Sequence, residues 1–336
     1  MIDPAMTSPG PSTDEPKSRA FLSVQETFIP NIKVFGAGGA GGNVVTKMVD
    51  VGIRQVEMVI CNTDLKALQR NKADHKIELG KDMTRGLGAG ARPEVGTNAA
   101  EETANEIEQA LAGANMVFIA AGMGGGTGTG VAPVVARIAK ARQILTVGVV
   151  TLPFSFEGKR RMQVALEGVE ELRQHTDTLL VIPNDKLQDA STQTTSLLEA
   201  FHMVDSVLIN AIQGITDLLN GAGDINVDFA DVQTIMENMG QAVIGRGTAS
   251  GQDRLERAVH NAMHSSLMGN QDIRGARGIL VHVVGPKDTS ALEINEAMTK
   301  IEEMADEDVN LIWGASFPED VSDQITVTII ATGLPD

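Results

Sequence analysis

A single cysteine, Cys61, stands among the 336 residues, which excludes an internal disulfide framework and any cysteine-rich zinc site. It lies in an apolar, strand-like run, where a buried structural thiol is expected rather than a reactive one. Tyrosine is absent, tryptophan occurs once, and aromatics make up 3% of the chain, too few to stack along single-stranded nucleic acid. Positive charge is also short. The net charge of −17 has the wrong sign for generic binding to a phosphate backbone. No apolar run approaches the roughly 18 residues that a membrane span requires. The polar, Pro- and Ser-rich residues 1–23 contain no apolar core of a signal peptide. These absences lead to the expectation of a cytosolic protein with no direct membrane insertion and no nucleic-acid partner. A chain this acidic can hold an anion only locally, with backbone amides and a few cations.

Glycine is what the chain has in quantity, 35 residues of it, and six fall within residues 122–130, Gly-Met-Gly-Gly-Gly-Thr-Gly-Thr-Gly. This stretch follows the apolar run 116–121 and precedes 131–142, which reads as a helix. A strand, a glycine-rich loop and a helix N-terminus together build an anion site, because inward-turned N–H groups and the helix dipole favour a phosphate. Thr127 and Thr129 add hydroxyls where caps or phosphate contacts are wanted. A second glycine run, Gly36-Ala37-Gly38-Gly39-Ala40-Gly41, satisfies G-x-G-x-x-G between a strand and a helix. Alone it suggests a dinucleotide fold, with Asp64 as the ribose-binding acid. That reading leaves the second loop without a role, whereas two phosphate loops on one sheet suit a nucleoside triphosphate. No G-x-x-x-x-G-K-[ST] is present, so this is no P-loop enzyme.

The segments alternate. Strands are predicted at 32–35, 56–61, 116–121, 144–150 and 178–182, with helices from the first glycine run to about 51 and at 99–111. Nearly all-apolar strands between helices indicate an α/β fold with a parallel sheet covered on both faces. From 197 to 220 a helical apolar period runs for more than 20 residues, and Gly221-Ala222-Gly223 ends it. Beyond it, strands near 242–244, 279–284, 310–313 and 325–330 and helices from about 228, near 252–268 and near 290–304 form a smaller α/β domain with a four-stranded sheet. The expected division is an N-terminal disordered segment 1–28, a nucleotide-binding domain 29–196, a central helix 197–221 and a C-terminal domain 222–336. Residues 1–5, ahead of a second Met, read as a cloning remnant. His260 and His264, four apart on a helix, lack a third ligand and read as ordinary helix residues rather than a metal site.

Phe201 and Asp205 are four apart on the long helix, hence on one face. One carboxylate can accept both the N1–H and N2–H₂ donors of guanine, a pair that adenine cannot offer. Asp205 is therefore a candidate acceptor for such a donor pair, and Phe201, which by itself reads as ordinary core packing, is a candidate stacking surface. That the base is guanine is what the family resemblance given below implies. With Phe201 and Ile209 one turn either side of it, the carboxylate needs a partner. Asp228 and Asp231 open a helix, where acids complement the dipole or cap it.

Four segments occur in order that resemble the tubulin/FtsZ family: Gly86-Leu87-Gly88-Ala89-Gly90-Ala91, Gly125-Gly126-Thr127-Gly128-Thr129-Gly130, Phe156-Glu157-Gly158-Lys159-Arg160-Arg161 and Asn226-Val227-Asp228-Phe229-Ala230-Asp231. The resemblance covers about residues 29–332. It implies a GTPase that polymerises into the bacterial division ring in the cytoplasm. It implies GTP or GDP, Mg²⁺ held mainly by phosphates and water, and K⁺ as a further candidate. The implied nucleotide contacts are Gly39, Ala40, Gly41, Gly42, Asn43, Gly88, Ala89, Gly90, Ala91, Gly125, Gly126, Thr127, Gly128, Thr129, Glu157, Arg161, Asn184, Phe201 and Asp205. Among these Asn43 touches the base, Glu157 the ribose hydroxyls and Arg161 phosphate or ribose, although by themselves Glu157 and Arg161 read as an i,i+4 surface pair. Asn226, Asp228 and Asp231 would act in trans on the water that attacks the γ-phosphate of a neighbouring subunit. The implied partners are further copies of the chain, plus anchoring and regulatory proteins whose usual C-terminal docking peptide is expected to be missing after Asp336. Arg92 departs from the pattern, since many members carry Asn there. The rival readings are a nicotinamide-dependent oxidoreductase and a GTP-binding relative that does not hydrolyse; the presence of both Asp228 and Asp231 argues against the latter.

Overall fold

The computed structural model describes residues 29–53, 56–189, 196–219, 224–265, 268, 273–319, 321 and 323–334. Its elements run β1 (Ile32–Ala37), α1 (Gly38–Val51), β2 (Val56–Asn62), α2 (Leu65–Arg70), β3 (His75–Glu78), α3 (Lys81–Thr84), α4 (Pro93–Glu102), α5 (Ala104–Leu111) and β4 (Met116–Gly122). They continue with α6 (Thr127–Ala141), β5 (Leu145–Leu152), α7 (Lys159–Arg173), β6 (Thr178–Pro183), α8 (Asn184–Asp189) and α9 (Leu197–Leu219). The last part holds α10 (Phe229–Met236), β7 (Gly240–Ala249), α11 (Arg254–Met263), β8 (Gly278–Val284), α12 (Ala291–Met304), β9 (Asn310–Ser316) and β10 (Ile325–Thr332).

The sheet order is β3-β2-β1-β4-β5-β6-β7-β10-β8-β9. From β3 to β7 every pairing is parallel. Alternation along the strands fills both faces. Ile32 and Val34 of β1 and Met116, Phe118 and Ala120 of β4 join the core that α1 and α9 cover. Phe35, Ala37, Val117, Ile119 and Ala121 point into the core beneath α4 to α7. The period of two delivers one side chain to each layer in turn. The four-strand group of the C-terminal half is present as β7-β10-β8-β9. In addition β7 bonds to β6 at Thr178–Gly240, Leu179–Gln241 and Leu180–Ala242, so the two groups make one continuous sheet.

Three local expectations are corrected. The helix expected at 99–111 is two helices, because Thr103 turns its hydroxyl onto Ala99 O (3.0 Å) and accepts the Gly80 N–H (3.1 Å), a back-bond that bends a helix. The helices reach back into the glycine runs: α1 begins at Gly38, directly after β1, and α6 at Thr127 rather than 131, which leaves residues 123–126 as the loop ahead of it. The helix expected at 252–268 is shorter, Arg254–Met263. Asn220, the Gly221–Gly223 terminator and residues 1–28 lie outside the described residues.

Register sets Arg246 of β7, Thr328 of β10, His282 of β8 and Gly314 of β9 in one row. A Cβ on Gly214 of α9 would lie 3.2 Å from Thr328 Cγ2, so the row faces the long helix, which also carries Asp217. Burial, with the Arg246 charge adding to it, pushes His282 down to about 4. Burial pushes Asp217 up to about 6, with a Gln213 hydrogen bond and Arg246 opposing. The unfolded chain thus binds more protons at His282 between pH 6.5 and 4, and stability falls by about 3 kcal/mol as pH drops through that window. Asp217 has the opposite slope, losing stability as pH rises through its folded value, and masks much of the loss. An Asp217→Asn variant should be more stable than the parent at pH 7 to 8 and should lose stability more steeply below pH 6.5. Urea titrations at stepped pH check both limbs.

Candidate nucleotide site

Two helix N-termini meet at the carboxyl ends of neighbouring strands β1 and β4. Neither α1 nor α6 has a side-chain cap or an acidic residue in its first turn. Their first-turn N–H groups and positive dipole ends are therefore left for an anion. The two are side by side, since a Cβ on Gly38 would lie 2.9 Å from Gly128 N. Close approach to the sheet explains why the first turn of α1 is built from glycine: a Cβ on Gly41 would meet Ala120 O of β4 at 2.2 Å. By contrast, nothing lies within 4 Å of a Cβ added at Gly39, Gly88 or Gly125, so these three border open space.

The predicted threonines serve the scaffold. Thr129 Oγ1 accepts the Gly124 N–H at 2.8 Å and is buried, so its hydroxyl shapes the loop. Thr127 Oγ1 bonds Thr63 Oγ1 at 2.7 Å. The 88–91 segment reaches the same place: Gly88 N–H donates to Thr63 O, and a Cβ on Gly126 would meet Ala89 Cβ at 2.8 Å. Ala91 holds φ +57°, the left-handed region that costs a non-glycine residue about 1 kcal/mol or more. Arg92 is exposed and lines a groove of about 670 Å³ between α4, α6 and α7.

The base and sugar candidates sit on segments that leave the same sheet edge. Asn184, which opens α8 after β6, is 4% exposed and its Oδ1 has no hydrogen-bond partner. A buried acceptor left like this costs about 1–3 kcal/mol. Asp205 is buried on α9, with Lys47 Nζ 2.9 Å from Oδ2. The Phe201 ring packs edge-on against Phe154 at 5.4 Å, and Phe154 stacks on Phe156 at 5.0 Å. Glu157 accepts the Phe154 N–H at 2.9 Å and pairs with Arg161 at 3.1 Å. Asn43 is exposed on α1, with Gly42 O just before it held by Asn71 Nδ2 at 2.6 Å. Asp64 caps α2, its Oδ1 accepting the Lys66 and Ala67 N–H groups, which gives the residue a structural role at this turn.

Two family models match this chain. The Tubulin/FtsZ family GTPase domain matches residues 31–192 and the FtsZ family C-terminal domain residues 240–335. The cell division protein FtsZ of Caulobacter vibrioides is 49% identical over 305 residues, 91% of this chain and 60% of that protein. The solved FtsZ dimer of M. jannaschii superposes with a TM-score of 0.87 at 48% identity, covering 92% of this chain and 89% of that one. The chain belongs to the tubulin/FtsZ family. CetZ1 of Haloferax volcanii, at 23% identity and a TM-score of 0.79, shares the fold. This family member spans 60% of the length of the curated relatives it matches.

The structure does not bring every predicted residue together. The glycine runs, Asn184, Phe201 and Asp205 gather at the carboxyl edge of the parallel strands. Asn226, Asp228 and Asp231 do not. They follow α9, which from Phe201 to Leu219 is about 27 Å long at 1.5 Å per residue. The Val227 N–H donates to Leu218 O near its far end. The other end of α10 is bound to the amino edge of the sheet, where Thr178 Oγ1 donates to Met236 O at 2.5 Å and the Gly240 N–H to Asp177 O at 2.8 Å. Asp228 stands at the N-cap position of α10, yet its side chain makes no cap bond. Asn226, Asp228 and Asp231 are all exposed. Sequence reading also missed Lys47. Its place one helical turn after Asn43 was the available signal, since i,i+4 residues share a face.

Proposed function

We propose that this chain is a GTPase that self-associates head to tail, its hydrolytic site completed when Asn226, Asp228 and Asp231 of one copy meet the nucleotide held by the next. The single observation that supports this reading is the separation just described. The glycine-lined anion site opens at one edge of the sheet, and two exposed carboxylates with no caps to make stand at the other. Among the described residues, the two are held apart by the length of α9 and of the sheet it packs on. The residues fit a guanine nucleotide: two uncapped helix N-termini suit phosphates, Asn184 offers an unfilled acceptor, and Asp205 offers a carboxylate for two adjacent donors. In this reading Gly88, Ala89, Gly90 and Ala91 sense the γ-phosphate, and Glu157 and Arg161 flank the ribose. Phosphate oxygens and water hold Mg²⁺, as that ion prefers. When bound, the ion neutralises charge on the phosphates. The carboxylates Asp228 and Asp231 orient and polarise the attacking water, with Asn226 beside them.

A shared site makes turnover cooperative in protein. GTP hydrolysed per molecule should be near zero below a threshold concentration and should climb above it. Phosphate release measured over a wide concentration series tests this, and turnover independent of concentration would refute the shared site.

A further inference from the structure

We infer that Lys47 is a positioning residue for base recognition, orienting the Asp205 carboxylate so that both of its oxygens serve a purine bearing adjacent N1–H and N2–H₂ donors. The inference rests on the reading of Asp205 as the guanine acceptor. The Asp205 side chain is only 10% exposed, and Lys47 Nζ lies 2.9 Å from Oδ2. One turn to either side on α9 stand Phe201 and Ile209, which offer no hydrogen bond. An ionised carboxylate has about four lone-pair sites. One ammonium occupies one of them, leaving both oxygens able to accept from a ligand at the same time. The cation therefore does not block the base; it compensates a buried charge and fixes which way the carboxylate turns.

The placement of Lys47 adds a second link. It projects from α1, one turn after Asn43, and the N-terminus of α1 is the phosphate end of the site. The ion pair thus ties the helix that faces the phosphates to the helix that reads the base. Lys47 is itself partly exposed, at 31%, so its charge can be removed with little loss of packing.

The test compares GDP with IDP, which lacks the 2-amino group, by equilibrium titration of the full chain. The parent should prefer GDP. Lys47→Met should weaken GDP binding by about tenfold and IDP binding less, so that the GDP:IDP ratio shrinks. Lys47→Arg should restore the ratio. Thermal melts without nucleotide show whether each variant is folded. A ratio unchanged in Lys47→Met, or tighter GDP binding by that variant, overturns the inference, because a purely structural pair would weaken both nucleotides alike. Asp205→Ala separates the two levels. If it binds GDP as the parent does, the reading of the site itself fails; if it loses GDP while Lys47→Met keeps the ratio, only the role of Lys47 fails.

Discussion

Asp231→Ala should bind GTP as the parent does and hydrolyse it at least about 100-fold more slowly, the scale of a positioned carboxylate acting on water. Asp205→Ala should be inactive for the opposite reason, since it lacks the acceptor for the base while its own Asp228 and Asp231 are intact. Mixed together, the two inactive proteins should recover turnover. The GTP bound by a copy with a sound pocket then meets the acids of a copy whose pocket is empty. The prediction follows from the distance between Asp205, near the start of α9, and Asp228, beyond its end. Phosphate release from each protein and from the mixture is the measurement. A mixture no more active than its components would sink the trans arrangement. Loss of GTP binding by Asp231→Ala would remove that residue from catalysis.

Gly41→Ala should be far more damaging than its size suggests. The added methyl would lie 2.2 Å from Ala120 O and 2.8 Å from Gly36 C. Gly36 and Ala120 are register partners in the β1–β4 ladder, so neither can retreat without breaking strand pairing. Overpacking against backbone rather than a flexible side chain is expected to cost about 3 kcal/mol, a fall in melting temperature of roughly 4 °C for a chain of this length. It would also lift the first turn of α1 off the sheet and weaken nucleotide binding with it. Gly39→Ala is the control. Two residues away in the same turn, it meets nothing within 4 Å and should melt within about 2 °C of the parent. Calorimetry of both variants decides; a Gly41→Ala protein as stable as Gly39→Ala would show that the close approach is not binding on the fold.

Much of the architecture is legible in the chain because it rests on strong local signals. The strands around 32–35, 56–61 and 116–121 are nearly all apolar, as strands covered on both faces must be, and α9 repeats apolar residues at the helical period over its whole length. What escaped reading has weak signals. The helix α7 was legible only as a first turn at Glu157 and Arg161, and its further extent buries only Ala165, Gly168, Val169 and Leu172 among charged neighbours; β3 has four residues of which two are exposed. The start of α6 escaped for a different reason. Glycine disfavours helix, and only contact with the rest of the fold overrides that: a Cβ on Gly130 would meet Pro93 O of α4 at 2.1 Å, so no larger residue fits that crossing.

The site divides the same way. The glycine runs, the spacing of Phe201 and Asp205 and the acids at 228 and 231 are properties of the chain, and the sequence by itself determined that a phosphate-binding α/β protein would result. It also put Asp205 one turn from Phe201, because that is a matter of helical period, and the proposed reading of the base starts from that pair. Tertiary structure alone decided who meets whom. It brought α1 against α6, left the buried Asn184 Oδ1 without a hydrogen-bond partner and set Lys47 on Asp205. It put Asp228 and Asp231 at the end of the sheet remote from the glycines. Spacing along a chain governs neighbours within one element, whereas the edge of the sheet at which a loop emerges depends on the direction and length of every element before it.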